Sequence, residues 1–344
     1  MSFQLLCLVT SEIIYPSLIC CIGLVSFIGW SWGIARLRRG QPLLDRVRRT
    51  ASHWSFWDVI GLGLLFYCVA PICALYVCEN WNGTPLPSLD KLTGAQLCTR
   101  MAASAFTSLI ALMLGMIWLR LGRETSWRDL GIETAGWWRD LKLGGIAFAM
   151  LSVPVFAVNA LMLRCFPNPE HPAFDLMRDA NVAHRLTIVL LATVVVAPLV
   201  EEFLFRGLMQ SWLQVSFDLL RELPIGDSSS ETSNDQVGGI GDEGLENEEP
   251  KSAIPQNPQD CDENGLVESR AGGARCSYGA IVITSLTFAS MHFTQWPAPV
   301  ALFVLSLGLG YLYDRTGRLL PCIVVHALLN ATTVLGLWMM PPEV

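Results

Sequence analysis

Five runs of almost uncharged residues, at 14–34, 56–77, 101–119, 144–163 and 319–340, each come close to the roughly 20 residues a helix needs to cross about 30 Å of hydrocarbon. Three further runs are shorter or broken: 186–200 leads straight into Glu201 and Glu202, 280–291 ends at His292, and 299–313 is brief. Interrupted segments of this kind belong where backbone lines a cavity buried within protein. The expected fold is therefore all-α, a polytopic transmembrane helical bundle of about eight spans. Composition agrees, because 52% hydrophobic and 15% charged residues is too apolar for an ordinary soluble chain of 344 residues. The first run lacks the basic n-region of a signal peptide, and reads as a retained span.

The net charge of −7 belongs to one stretch. From Glu222 to Cys276 there are 13 acidic and 3 basic residues, which leaves 17 acidic against 20 basic in the rest. Residues 224–275 are rich in Gly, Ser, Asp and Glu with almost no aromatic side chain, a composition that cannot bury enough apolar surface to offset its chain entropy. They read as a disordered acidic cytoplasmic loop, more simply a tolerated insertion than a docking segment. The 11 cysteines are scattered without a CxxC pair, so zinc or redox chemistry finds no support in them. Cys78 and Cys98 fall near the outer ends of consecutive spans; two buried thiols is the simpler reading and a disulfide closing the outer loop the alternative.

Lys and Arg bias sets the orientation. Arg36, Arg38, Arg39, Arg46, Arg48 and Arg49 crowd the first loop, and Arg120, Arg123, Arg128, Arg139 and Lys142 the third, whereas the second holds only Lys91 between Glu79 and Leu97. The N-terminus is then outside and the basic loops, with Arg315 and Arg318, are cytoplasmic.

Ionisable side chains at membrane depth are costly and mark function. Glu201-Glu202 with Arg206 is the first such group. In a helix Arg206 lies one turn after Glu202 on nearly the same face, able to neutralise and orient it, while Glu201 points about 100° away. That leaves Glu201 in a low-dielectric setting, suited to taking a proton from water. Pro198 cannot bond to the carbonyl of Val194 and should loosen the helix just before the pair. The second group is Phe288 with His292, the third His326 with Asn330, each pair one turn apart. His326 and Asn330 share a face from which both can donate to a developing oxyanion. His292 can hold the attacking water with Glu201. A lone histidine on an apolar face is more often a packing residue; two of them beside a carboxylate pair shift the balance to chemistry.

The ordered set EExxxR, FxxxH and HxxxN resembles the CAAX protease and bacteriocin-processing family, which includes the type II CAAX prenyl endopeptidases. The resemblance covers roughly residues 141–340 and matches all three motifs. It implies an intramembrane glutamate-type endopeptidase without metal or other cofactor. Glu201 would be the general base with His292 as partner, Glu202 and Arg206 the supporting pair, and His326 with Asn330 the oxyanion hole. Its substrate would be a membrane-embedded or lipid-anchored protein or peptide, including the prenylated CAAX type. The cavity would open to the cytoplasm, and a bacterial plasma membrane is the expected location. No nucleic-acid partner is expected. Two departures stand out: the acidic insert is longer than the family core needs, and the first 140 residues carry none of its motifs. The organisation is thus residues 1–140 as spans outside the motif region, and 141–344 as a CAAX-protease-like membrane domain interrupted by 224–275.

Depth gives a check on this arrangement. At about 1.5 Å per residue, Glu201 should lie roughly 8 Å from the cytoplasmic face, His326 about 10 Å and Asn330 about 16 Å. His292 comes out about 21 Å deep if its helix starts at the surface at Tyr278, a mismatch that closes if that helix begins about one or two turns inside the cytoplasm.

Three rival readings remain. His292, His326 and a Glu are the ligand types of a zinc-dependent membrane protease, although no HExxH is present. A non-proteolytic membrane scaffold or bacteriocin-immunity protein would share the family's sequence. A transporter would need an inverted repeat that the sequence does not display. Asp314, beside Arg315, reads as a capped helix end.

Overall fold

The computed structural model describes residues 15–45, 53–83, 92–166, 183–222 and 278–339. Two compact units divide the chain, Met1–Leu220 with Ser277–Val344, and Arg221–Cys276. The acidic stretch 224–275 and its expected disorder lie outside the described residues, as does Lys91.

The described residues form helices and no strands, bearing out the all-α expectation. We number them α1 (Tyr15–Arg38), α2 (Phe56–Leu64, Leu65–Val69 and Ala70–Asn82), α3 (Gly94–Ile117 and Trp118–Gly122) and α4 (Trp137–Cys165). After these come α5 (Ala183–Leu190, Leu191–Val196, Ala197–Glu202, Phe203–Gln210 and Ser211–Glu222), α6 (Tyr278–Ser290), α7 (Ala298–Thr316) and α8 (Leu319–Met339). Among the described residues, six helical stretches are long and apolar enough to cross a membrane, and the chain is an integral membrane protein. The run at 186–200 is not a short span: its helix continues through Glu222, and the apolar stretch covers 35 residues, Leu186–Leu220.

Two wide, π-type turns in α2 and α5 precede a proline. Leu65–Val69 comes before Pro71, and Leu191–Val196 before Pro198. A proline ring collides with the carbonyl four residues back, here Tyr67 and Val194, and a widened turn relieves the collision. The loosening expected at Pro198 thus takes the form of a π-type turn, and a second one, Phe203–Gln210, follows the glutamate pair.

Within lipid, helices associate through close packing and hydrogen bonds, because lipid tails are as apolar as leucine. Gly144 lets α4 approach α8: a Cβ there would sit 2.7 Å from the Val324 side chain and 3.0 Å from the Pro321 carbonyl oxygen. Gly310 serves the same purpose where α7 meets Ile281 of α6 and Gln210 of α5.

A polar seam joins α5 to α7, which run parallel. Arg206 Nη2 donates to Ser306 Oγ at 2.9 Å, and Gln210 Nε2 to the Gly310 carbonyl at 2.8 Å. Gln214 Nε2 donates to Asp314 Oδ1 at 2.9 Å. Ser211 Oγ donates to the Arg206 carbonyl, so the Tyr313 hydroxyl, 2.9 Å away, must donate to Ser211. Asp314 is therefore a buried member of this seam, with Arg315 Nε at 3.8 Å, rather than an exposed cap.

The helix ends that carry the basic residues lie together. Asp58 at the start of α2 accepts from Ser55, from Trp118 Nε1 at 2.9 Å and from Arg123 of the α3–α4 connection. Arg318, between α7 and α8, pairs with Asp140 of α4 at 2.7 Å and donates to the Glu133 and Ala135 carbonyls. Cys78 and Cys98 are buried thiols in separate clusters, Cys78 with Ala74 and Ala103, Cys98 with Val189 and Val334, and no disulfide joins them.

Candidate active site

Glu202 and Arg206 occupy the centre of the bundle, both fully buried, with Arg206 Nε 3.2 Å from Glu202 Oε2. The helical spacing places them as the sequence suggested, one turn apart on α5. A buried guanidinium needs more than one partner. Ser306 accepts from Nη2, and the ring of Phe288 lies beneath Cζ at 4.9 Å, a cation–π contact. The other carboxylate oxygen, Glu202 Oε1, sits 2.7 Å from His326 Nδ1.

Both histidine tautomers follow from their partners. The Phe288 carbonyl can only accept, so His292 Nδ1, 2.9 Å away, carries a hydrogen. Beside the Glu202 carboxylate, His326 Nδ1 is likewise the donor. Each ring therefore turns Nε2 towards Glu201: His292 Nε2 is 3.9 Å from Oε1, and His326 Nε2 is 3.6 Å from Oε2. These separations are too long for direct hydrogen bonds. Glu201 retains some exposure, with 19% of its side chain accessible, whereas Glu202 has none. Adjacent glutamates on one helix thus sit in opposite environments, one locked by a cation and a histidine, the other facing a cavity between two Nε2 atoms.

The depth mismatch for His292 disappears. Gly279, at the start of α6, lies against Phe217 of α5, so Tyr278 is level with the far end of α5, not with a surface near Glu201. Phe217 lies 16 residues beyond Glu201, about 24 Å, and Tyr278 lies 14 residues before His292, about 21 Å. Two antiparallel stretches of similar length bring the two side chains to one level.

Asn330 is placed differently from its partner in the motif. Its Nδ2 donates to the Thr193 carbonyl at 2.8 Å, committing one of its two amide hydrogens to α5. The motifs bring Glu201, Glu202, Arg206, His292 and His326 into one contact network, with Asn330 one turn above His326 and attached to the wall of the adjoining cavity.

Two contributors, Ser306 and Tyr67, escape the sequence reading, as does the full role of a third. Phe288 is fully buried at the hub, its ring 4.9 Å from that of His292, 5.9 Å from His326 and 5.1 Å from Phe205. Its place in FxxxH was visible, but not its contact with Arg206. Ser306 has no motif around it. Tyr67, in the widened turn of α2, packs its ring on Phe205 at 6.4 Å and lines the same cavity as Glu201, with a volume of about 250 Å³. It belongs to the first 140 residues, where no motif pointed.

Among the described residues, no group of three or more His, Cys, Asp or Glu side chains is arranged to hold a metal ion. No curated protein and no solved structure matches the chain. Over residues 183–225 and 264–332, which contain all three motifs, the chain matches the model of the Rce1-like type II CAAX prenyl endopeptidases, a protease family.

Proposed function

We propose that this protein is an intramembrane endopeptidase that hydrolyses a peptide bond of a membrane-associated substrate with water activated by Glu201. The observation that carries the reading is the contrast within the glutamate pair: Glu202 is held by Arg206 and His326, while Glu201 stands between two Nε2 atoms at the edge of a cavity. A water there donates one hydrogen to the lone pair of His292 Nε2 and yields its other proton to Glu201. The oxygen attacks the substrate carbonyl carbon. The step requires a hydrogen on His326 Nε2, which donates to the developing oxyanion, joined by the remaining amide hydrogen of Asn330. The C–N bond then breaks as Glu201 returns the proton to the leaving amine.

The family match favours a lipid-anchored, CAAX-type substrate as the first class to test. The basic-end asymmetry supports a cytoplasmic position for the connections after α1, α3 and α7, and a bacterial plasma membrane is the proposed setting. The test is turnover of such a peptide by the detergent-purified chain. Glu201→Gln keeps the shape and removes the base, so cleavage should fall to background while the folded yield is retained. Wild-type rates in that variant would rule out the glutamate mechanism. Loss of activity on chelation, restored by zinc, would favour the zinc-dependent alternative, and absence of cleavage in the wild type the scaffold or immunity reading.

A further inference from the structure

The cavity beside Glu201 is built from both halves of the chain. Met101, Ala105 and Ser108 form one face of α3, at spacings of four and three residues, and Thr193, Ala197 and Glu201 form the facing stripe of α5. Phe66 and Tyr67 of α2 close the side. From Thr193 to Glu201 the α5 stripe runs about 12 Å. Apart from Glu201, the lining carries no charge.

We propose that this cavity is the subsite for one bulky, uncharged side chain of the substrate, at a residue flanking the cleaved bond, and that Ala105 gauges its size. The inference rests on the proteolytic reading and deepens it. Its volume of about 250 Å³ falls below the roughly 300–1,000 Å³ of pockets that hold whole ligands. It suits a single large side chain reaching away from a carbonyl held at Glu201. A charged side chain is disfavoured by the cost of leaving water for walls of Ala, Val, Met and Phe in which Tyr67, Ser104, Ser108 and Thr193 offer hydroxyls but no countercharge. An acidic one would also meet Glu201. The α2 and α3 walls lie outside the segments that match the family model, so the catalytic motifs are silent about this preference.

The test uses the full chain in detergent and peptides that are identical except for Ala, Leu or Phe at the residue on either side of the cleaved bond. The wild type should prefer Leu and Phe over Ala at one of the two positions. Ala105→Leu and Ala105→Phe should shift the Phe-to-Ala ratio of kcat/KM by at least about 10-fold against Phe, the scale on which apolar pockets discriminate by a few methylenes. Ser108→Leu, one turn along the same face, should shift it in the same direction if the Ala105 variants fail to fold. Phe106→Ala, on the exposed face of α3, should leave the ratio where it is. An unchanged ratio in the Ala105 and Ser108 variants, or a parallel fall for all peptides, overturns the subsite while leaving proteolysis standing. A wild type that cleaves none of them overturns the proteolytic reading, and the subsite with it.

Discussion

Asn330 donates its side-chain amide to the carbonyl of Thr193 at 2.8 Å, where a backbone N–H would sit if residue 198 were not proline. In the widened turn, Ala197 N–H bonds to the Ala192 carbonyl five residues back. The next donor in that register would be residue 198, and a proline has none. A carbonyl left unsatisfied in an apolar setting is costly, and α8 supplies the missing hydrogen.

It follows that Asn330→Ala should cost stability as well as turnover, about 0.6 kcal/mol and up to ~1.7 kcal/mol by analogy with other interhelical hydrogen bonds in membranes. In a Pro198→Ala background the backbone can satisfy Thr193, and the same substitution should cost less. A double-mutant cycle read by unfolding in mixed micelles gives the coupling; strictly additive losses would falsify the link.

Arg206→Ala should be of a different kind. It removes the cation beside a fully buried carboxylate and should destabilise the fold by roughly 3–5 kcal/mol. Arg206→Ala combined with Glu202→Ala should recover much of the folded yield, because no buried charge is stranded. Activity should stay lost, since His326 then has nothing to hold its Nδ1. Yield and turnover of the three variants, measured side by side, decide; full activity in the double variant would contradict the role given to Glu202.

Gly144→Ala tests the α4–α8 contact. The added methyl would press on Val324 and on the Pro321 carbonyl, and backbone cannot give way as a flexible side chain can. A loss of about 1–3 kcal/mol is expected. Gly145→Ala, where the added Cβ meets nothing within 4 Å, is the control and should be near neutral. Equal thermal stability of the two variants would count against the packing described.

Orientation can be checked in cells. A green fluorescent protein inserted within residues 224–275 should fluoresce, and alkaline phosphatase fused at the C-terminus should be active, if the basic ends are cytoplasmic. The opposite pattern would invert the topology.

What could be read from the sequence was what is local. Glu202 and Arg206 are one helical turn apart, so their pairing needs only the periodicity of α5, and the apolar runs announce the spans. Ser306 and Tyr67 were out of reach, because 100 residues separate Ser306 from Arg206, and Tyr67 meets the site only through tertiary packing. The level of His292 was misjudged for a related reason. Reckoned from Tyr278 at the membrane surface, its depth leaves out how far α5 runs on past Glu202, through a buried polar face that pairs with α7. Polar residues mark a membrane boundary only when nothing inside the protein answers them.

The seam between α5 and α7 has a consequence for how this protein can change over generations. Arg206 with Ser306, Gln210 with Gly310 and Gln214 with Asp314 fix the sliding position of the two helices by side-chain partners, not by the length of chain between them. Doubling a flexible connection costs only about 0.6 kcal/mol in closure entropy. The length of sequence between α5 and α6 is therefore a weak constraint on the geometry of the site, and it is there that lineages sharing this core can diverge most cheaply.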